Sequence, residues 1–236
     1  MGDEREGVGA IKGKPEISWI KIPTGPFTFQ ENQRINQPSF EISKYPITYS
    51  QFEPFIEEGY SSNEFWSTEG LTWRGERRHP QYYWVDSRWH IGNHPVVGLS
   101  WYEADAYCKW LAQKLGYEVR LPIETEWEKA ARGMDGRIYP FGNDFDENKG
   151  NFRETGIGRT TAVGIFVEGL SPYSVMDMSG NVWEWCIREK DLTTTDDREV
   201  LRGGSWGYNR VLSTTIYRRL IPPTYNNGYY GFRICR

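Results

Sequence analysis

The chain has 236 residues and a net charge of −4, with an isoelectric point near 5.6. These values argue against general nucleic-acid binding, which requires a concentrated basic patch. The length suits one large domain or two small ones, and one is preferred if no linker appears. Mean hydropathy is −0.70, yet 16% of the residues are aromatic and 11 are Trp, which predicts an aromatic rather than an aliphatic core. The 25 Gly and 13 Pro residues predict many turns and much irregular chain.

The sequence shows no targeting segment, membrane span, disulfide framework or zinc site. The chain starts with the charged letters MGDERE, which do not form a signal peptide, and no apolar run approaches a membrane-spanning length. We therefore expect no membrane insertion and an unknown location, either cytoplasmic or exported by other means. Cys108, Cys186 and Cys235 are too few and too widely spaced for a disulfide framework or a zinc site. We expect residues 1–14 to be flexible and residues 15–236 to form a single domain.

The first hundred residues predict a small sheet, a helix and an insertion. Apolar residues on both sides of a polar turn at 31–38 are typical of a β-meander. A capping box at 48–51 and Gly59 at the C-cap predict a helix over 49–58. Residues 60–95 are rich in Trp, Tyr, Arg and Pro, and so many rings indicate a packed insertion. The apolar residues of the meander are Ile17, Trp19, Ile20, Ile22, Phe27, Phe29, Phe40 and Ile42.

The chain has three histidines, His79, His90 and His94. The last two are four residues apart, but Gly92 and Pro95 argue against a helix there, and no acidic residue lies beside them in the sequence. We therefore favour ordinary hydrogen-bonding histidines over a metal pair.

Two more helices follow. Ser100 opens a capping box, and apolar residues then recur every three or four positions until Gly116. A second helix opens at Thr125 and ends at Gly133. Two or three short helices are therefore expected in all.

The rest of the chain predicts loops and strands. Gly, Asn and Asp dominate to about residue 170, and 175–185 then alternates apolar and polar residues like a half-buried strand. A polar connector at 190–197 leads to the strand-like residues 199–202. We find no internal repeat and no linker.

Residues 207–230, GYNRVLSTTIYRRLIPPTYNNGYY, have an unusual composition. They contain no Lys, Glu, Gln, Met or Trp, whereas the other 212 residues contain 52 of these types. Five of the twenty-four are Tyr and three are Asn, and no sustained period predicts a helix or strand. A variable-looking loop between rigid ends is a common recognition surface, and Tyr, Ser, Gly and Asn dominate paratopes. The alternative is an ordinary surface loop.

Five motifs together resemble the formylglycine-generating-enzyme (sulfatase-modifying factor) superfamily over about residues 15–236. The resemblance implies an α+β fold of the C-type-lectin-like type, with few helices, small twisted antiparallel sheets and much irregular chain. The motifs are His94-Pro95-Val96-Val97-Gly98-Leu99-Ser100-Trp101, Arg120-Leu121-Pro122-Ile123-Glu124-Thr125-Glu126-Trp127-Glu128, Gly180-Asn181-Val182-Trp183-Glu184-Trp185, Arg202-Gly203-Gly204-Ser205-Trp206 and Gly231-Phe232-Arg233.

This chain lacks the metal-binding residues that the resemblance implies for the enzymatic branches of the superfamily. The resemblance places the two copper-binding cysteines of formylglycine-generating enzymes at Tyr208 and Ser213, and neither is a thiol. The sulfoxide-synthase branch needs iron-binding histidines from an extra helical domain. A copper oxidase or other enzyme of the superfamily is kept only as an alternative. A scaffold or adaptor domain is another.

A third branch is the variable proteins of diversity-generating retroelements, whose variable region lies between Gly-Gly-Ser-Trp and Gly-Phe-Arg. Template-directed errors at adenines of AAC codons cannot produce Lys, Glu, Gln, Met or Trp, the five types absent from 207–230. This resemblance implies a hypervariable surface for a protein or cell-surface ligand, with no required cofactor. The residues expected at that surface are Gly207, Tyr208, Asn209, Leu212, Ser213, Tyr217, Arg219, Leu220, Ile221, Pro222, Tyr225, Asn227, Gly228 and Tyr229.

Within that set, Tyr side chains are the expected anchors, and Leu212, Leu220 and Ile221 the expected exposed apolar area. For Leu220 and Ile221 the alternative is a buried strand, although Pro222 makes a central strand unfavourable. Arg218 has the alternative role of a fixed scaffold residue.

The resemblance also implies one structural calcium ion, with side-chain oxygens of Asn181 and Glu184 and nearby backbone carbonyls as ligands. The alternative is that both side chains hydrogen-bond the backbone in a structural turn.

Overall fold

The computed structural model describes residues 5–81, 83–189 and 196–236. Most of the predicted connector at 190–197 therefore lies outside the described residues. Within these ranges the chain forms ten short strands and four α-helices, together with 3-10 turns at Asn63–Phe65, Glu147–Lys149 and Arg210–Ser213. The strands are β1 Ala10–Ile11, β2 Lys14–Pro15, β3 Trp19–Ile22, β4 Gly25–Phe29, β5 Gln33–Gln37, β6 Phe40–Ser43, β7 Trp183–Cys186, β8 Glu199–Arg202, β9 Arg218–Ile221 and β10 Tyr230–Phe232. The helices are α1 Tyr49–Glu58, α2 Thr68–Arg74, α3 Trp101–Leu115 and α4 Glu124–Arg132.

The central sheet has the strand order β10-β7-β8-β9. Strands β7, β8 and β9 pair antiparallel, but β10 lies parallel to β7, with Tyr230 opposite Trp183. All four residues of β7 are buried. The expected half-buried strand at 175–185 is therefore shorter and wholly buried, because β7 has strand neighbours on both sides and core on both faces.

The predicted meander forms as two nested antiparallel pairs, β3 with β6 and β4 with β5. The polar turn expected at 31–38 is wrong, because Gln33–Gln37 forms strand β5. Its polar side chains are mostly exposed, and it is held by pairing with β4 and by Lys129 of α4, which donates to the Gln37 carbonyl at 3.4 Å. A polar sequence of this kind looks like a turn when no partner strand is known.

Local capping set the ends of two helices as predicted. The Thr48 side chain accepts from the backbone N–H of Gln51, and Gly59 is the C-cap of α1. The Ser100 side chain accepts from Glu103 N–H, and Gly116 adopts a left-handed conformation after α3.

The other helices differ from the prediction. Helix α4 begins at Glu124, one residue before Thr125, because the Glu126 carboxylate accepts from Ile123 N–H and closes the first turn. Helix α2 lies inside the 60–95 insertion, where no helix was predicted. Its start is fixed by Ser67, whose hydroxyl accepts from Gly70 N–H.

The expected flexible start is corrected for residues 5–14. Val8 is only 1% exposed, and its carbonyl accepts a hydrogen bond from Thr48 Oγ1 at 2.6 Å. Gln51 Nε2 donates to the Gly7 carbonyl at 3.0 Å, so α1 holds this segment. Residues 1–4 lie outside the described residues.

Aromatic packing forms the core, as the composition predicted. Phe52 stacks on Tyr107 at a centroid distance of 5.2 Å and meets Phe232 edge-on at 6.2 Å, which joins α1, α3 and β10. Rings packed in this way contribute more than their buried area alone. In the described ranges, no helix is both long and apolar enough to cross a membrane.

Candidate ligand-binding surface

Residues 207–230 connect two buried pieces of the central sheet. Strand β8 ends at Arg202, and Gly203 and Gly204 follow with φ of 90° and 74°. A Cβ on Gly204 would lie 2.1 Å from Ser213 Oγ, so only glycine allows this close approach. Gly203 and Gly204 therefore allow the 3-10 turn Arg210–Ser213 to pack directly against the end of the sheet.

The segment has more regular structure than predicted. Besides the 3-10 turn it contains β9, which lies at the edge of the central sheet and pairs with β8. Leu220 and Ile221 are thus strand residues, half-buried rather than exposed. Pro222 follows directly, which is compatible with an edge strand but not with a central one. Pairing with β8 across the sheet, rather than a local period, creates this strand.

A strip of rings crosses the segment and reaches the core. Trp206 lies 5.7 Å from Trp89 and 4.7 Å from Tyr229, measured between ring centroids. Tyr229 meets Tyr208 edge-on at 5.3 Å, and Tyr208 meets the buried Trp183 at 5.5 Å. We call these five residues the ring strip. It fixes the half-buried tyrosines of the segment on a rigid support, because Trp183 belongs to the central strand β7.

Two predicted site residues are positions where a ring packs against the backbone. A Cβ on Gly207 would lie 2.4 Å from Tyr229 Cε1, and one on Gly228 would lie 2.8 Å from Tyr83 Cζ. Tyr83 itself has a φ of 64°, an uncommon conformation for a residue with a side chain. Gly207 and Gly228 therefore allow rings to approach the backbone.

Exposure varies strongly among the expected site residues. Tyr225 is 58% exposed. Ser213 is fully buried, and its carbonyl accepts from Ser179 Oγ at 2.6 Å, so its expected place at the surface is corrected. Leu212 is half-buried, packed against the aromatic core. Half-buried as well are Tyr208, Asn209, Tyr217, Arg219, Pro222, Asn227 and Tyr229.

Polar side chains of the segment have distinct roles. Arg219 Nη1 donates to Tyr208 Oη at 2.9 Å, and its guanidinium lies 5.6 Å from the centroid of the same ring. The Asn227 side chain accepts from Tyr229 N–H at 2.9 Å and so stabilises the turn before β10. Arg218 pairs with the nearly buried Glu124 at 2.7 Å, in line with a scaffold role.

Charged residues of the five motifs build the frame beneath this surface. Glu184 and Arg233 are both 0% exposed and form an ion pair. Arg202 and Glu128 form a second fully buried pair, and the Arg202 guanidinium also lies 5.2 Å from the centroid of the Trp127 ring. The most recognisable charges of the sequence therefore hold α4, β7, β8 and β10 together and do not reach solvent.

The residues expected to hold calcium do not fit a calcium site. Glu184 Oε2 accepts from Arg233 Nε and from Trp127 Nε1, both at 2.6 Å, and Oε1 accepts from Arg233 at 2.8 Å. Asn181 Oδ1 instead accepts from Thr161 N–H at 3.0 Å. The two side chains serve different neighbours. Within the described ranges, no group of three or more His, Cys, Asp or Glu could hold a metal ion.

Neither the thiols nor the histidines form a reactive cluster. Cys108, Cys186 and Cys235 are buried, and burial raises the pKa of each thiol well above its usual value. His90 hydrogen-bonds Glu53 at 2.8 Å, and His94 Nδ1 lies 3.0 Å from Thr160 Oγ1. These are hydrogen-bonding roles, as the sequence favoured.

Sequence reasoning missed the residues outside 207–230 that border the surface. Trp89 continues the ring strip, and Trp73 Nε1 donates to the Thr224 carbonyl at 3.2 Å. The density of Trp and Tyr in 60–95 indicated a packed insertion, but it carried no signal for the surface on which it packs.

Comparison with known proteins identifies the same family as the motifs. The sulfatase-modifying factor enzyme 1-like domain matches residues 9–236. Hercynine oxygenase of Mycolicibacterium smegmatis is 28% identical over 97% of this chain and 64% of that protein. An inactive C-alpha-formylglycine-generating enzyme 2 of Bos taurus is 39% identical over 48% of this chain and 38% of that protein. The chain thus spans less than two-thirds of these curated relatives.

Solved structures show the same fold. Treponema denticola variable protein 1 superposes with a TM-score of 0.74 at 21% identity, covering 97% of this chain and 96% of that chain. PvdO from Pseudomonas aeruginosa superposes with a TM-score of 0.73 at 21% identity, covering 99% of both chains. These similarities confirm the α+β, C-type-lectin-like fold, and at such identity they show the fold alone.

Proposed function

The chain belongs to the sulfatase-modifying factor enzyme 1-like domain family, and from that premise we propose that it is a non-catalytic ligand-binding protein, the variable protein of a diversity-generating retroelement. Residues 207–230 would bind a protein or cell-surface ligand. The absence of Lys, Glu, Gln, Met and Trp from this segment carries the proposal, because it begins directly after Trp206 and covers the whole interval between the two flanking motifs. A fold shared with a protein named a variable protein supports it.

The packing explains how such a segment could vary without unfolding the chain. Its two ends are anchored by the buried side chains of Arg202 and Arg233. Between them, most residues are half-buried, and Tyr208 and Tyr217 pack on the ring of Trp183 in β7. Tyr supplies large contact area at low entropic cost, so a tyrosine-rich surface of this kind suits a protein ligand.

The buried pair of Arg202 and Glu128 contacts the segment through its backbone, where Arg202 Nη2 donates to the Thr215 carbonyl at 2.8 Å. The charged pairs that stabilise the sheet, Glu184 with Arg233 and Glu128 with Arg202, lie outside residues 207–230. Substitution of a half-exposed residue in the segment therefore leaves these pairs intact. A binding surface whose side chains take no part in these two buried ion pairs suits repeated diversification.

The coding DNA provides a direct test. If adenine-directed variation of AAC codons produced this segment, codons for its surface residues, such as Tyr208, Asn209 and Arg219, should end mostly in C. Codons of the same residue types elsewhere, for example in 83–153, are the matched control and should follow the general codon usage of the source. Equal use of C at the third position in both regions would remove the genetic basis of the proposal.

The second candidate is an oxidase or other enzyme of the family, favoured by the hercynine oxygenase relative that covers 97% of this chain. Against it stand Tyr208 and Ser213 at the positions of the copper-binding thiols. Incubation with copper and a Cys-containing sulfatase peptide, followed by mass spectrometry, separates the two candidates. Formation of formylglycine at catalytic turnover would favour the enzyme.

A further inference from the structure

Two loops outside 207–230 border the ring strip. In the first, residues 83–89, Trp89 packs on Trp206. In the second, residues 153–159, the Arg153 N–H donates to the Tyr208 carbonyl at 3.1 Å. Both loops therefore touch the candidate binding surface directly, and neither belongs to the segment proposed to vary.

The two loops are also joined to each other. Arg159 Nη2 donates to the Arg88 carbonyl at 2.9 Å, so the second loop closes against the first. A ligand seated on the ring strip would meet this joined edge whatever the sequence of residues 207–230.

The edge carries unpaired positive charge. Arg153 and Arg159 are exposed, and no carboxylate of the described residues forms an ion pair with either of them. We call these two residues the arginine rim. Arg219, across Tyr208, bonds a phenol rather than a carboxylate. By contrast, Arg236 pairs with Glu41 at 2.7 Å.

Neighbouring carboxylates limit the charged region. Asp86 pairs with Arg88 at 2.7 Å, and Glu154 Oε1 accepts from the Arg210 N–H at 3.0 Å. Glu154 and Arg210 also line an acidic depression of about 570 Å³, together with Asp144, Asp146 and Glu147. The carboxylates of Asp86, Glu154 and the acidic depression thus border the arginine rim.

The field of the rim reaches a buried neighbour. The pKa of His94 is lowered to about 4, first by burial and then by the positive charge of Arg159. The charge of Arg159 therefore acts on a neighbouring buried group.

We infer that the ligand is a protein that presents an acidic patch, and that Arg153 and Arg159 bind this patch whatever the sequence of residues 207–230. The inference rests on the proposed function and deepens it. Guanidinium groups bind carboxylates through two parallel hydrogen bonds, and arginines beside aromatic rings are frequent centres of binding energy. A positive patch on a chain with a net charge of −4 also orients an acidic partner toward one face. The same net charge and the acidic depression disfavour a nucleic acid.

A phage-displayed library of random 12-residue peptides is a suitable probe. Selected peptides are retained only if the substitution Tyr208→Ala weakens their binding. If Tyr208→Ala does not fold, Tyr225→Ala is used instead. The retained peptides should be enriched in Asp and Glu relative to the unselected library. The double variant Arg153→Glu/Arg159→Glu should weaken them by roughly tenfold or more at low salt, because it reverses the rim charge. Arg34→Glu, an exposed arginine of β5, is the matched control and should change affinity by less than about twofold.

The outcomes test the acidic-ligand inference and the proposed function separately. The acidic-ligand inference is overturned if the retained peptides are neutral or basic, or if they bind the double variant as tightly as the wild type. The proposed function is unaffected by either result. Selected peptides whose binding depends on neither tyrosine count against the proposed function itself. Tight binding of a single-stranded 20-mer DNA, abolished by the double variant, would assign the rim to nucleic acid and overturn the inference.

Discussion

The carboxylate of Glu184 and the guanidinium of Arg233 form two hydrogen bonds, at 2.6 and 2.8 Å, with both side chains fully buried. Glu184 lies in β7, and Arg233 directly follows the parallel strand β10. The pair therefore anchors the chain immediately after the proposed variable segment.

Removal of one partner of this pair should be severely destabilising. We expect Arg233→Met to lower the free energy of unfolding by about 3–5 kcal/mol, because an unpaired carboxylate remains buried. Arg236→Met is the control, since its pair with Glu41 is about one-third exposed and should contribute roughly 0–1 kcal/mol. Urea unfolding measures both. Equal losses in the two variants would show that the buried pair is not an anchor.

Two tyrosines of the same segment should differ in their effect on stability. Tyr225 is 58% exposed, and Tyr225→Ala should cost less than about 1 kcal/mol. Tyr230 is 2% exposed and packs edge-on against Trp185, so Tyr230→Ala should cost about 3–5 kcal/mol. Thermal unfolding followed by circular dichroism can compare them. A large loss for Tyr225→Ala would mean that the surface is not independent of the fold.

Gly204 should be intolerant of a side chain for reasons beyond its φ angle. Its φ of 74° is nearly that of Gly156, 73°, but a Cβ on Gly156 meets nothing within 4 Å. We expect Gly156→Ala to cost about 1 kcal/mol. Gly204→Ala should cost a further 1–3 kcal/mol or so, because Ser213 must move. Chemical denaturation of both variants provides the measurement, and similar costs would contradict the close packing of the 3-10 turn on β8.

The buried carboxyl of Glu103 should make stability depend on pH. Burial raises its pKa from 4.5 to about 7. Between these values the folded state holds a proton that the unfolded state has released, so stability from this group is present below pH 4.5 and is lost as pH rises through 7. Relative to Glu103→Gln, the wild type should lose about 3 kcal/mol between pH 4.5 and 8.

Urea unfolding at several pH values measures this difference. Glu118→Gln, an exposed substitution of the same kind, controls for the loss of one charge. A difference between wild type and Glu103→Gln that stays constant with pH would show that folding does not raise the pKa of the Glu103 carboxyl.

Sequence predicted those features whose signals are local. The caps at Thr48 and Ser100 act within one helical turn, so their residues are adjacent in the sequence. The motif set identified the family, and with it the fold, because it samples positions along nearly the whole chain.

Features that depend on distant partners could not be read from the sequence. Strand β9 exists because β8 pairs with it, and the place of Trp89 on the ring strip depends on the packing of the whole insertion. In the sequence, Glu184 and Arg233 look like candidate site residues because they are charged. That they form a buried ion pair is known only once the positions of β7 and β10 are known.

The most direct test of the central claim is the sequencing of sibling copies of this gene from the same source. Substitutions should fall almost entirely within 207–230, concentrate at half-buried and exposed positions such as Tyr208, Arg219 and Tyr225, and leave Arg202 and Arg233 unchanged. Substitutions spread evenly over the domain would contradict the account.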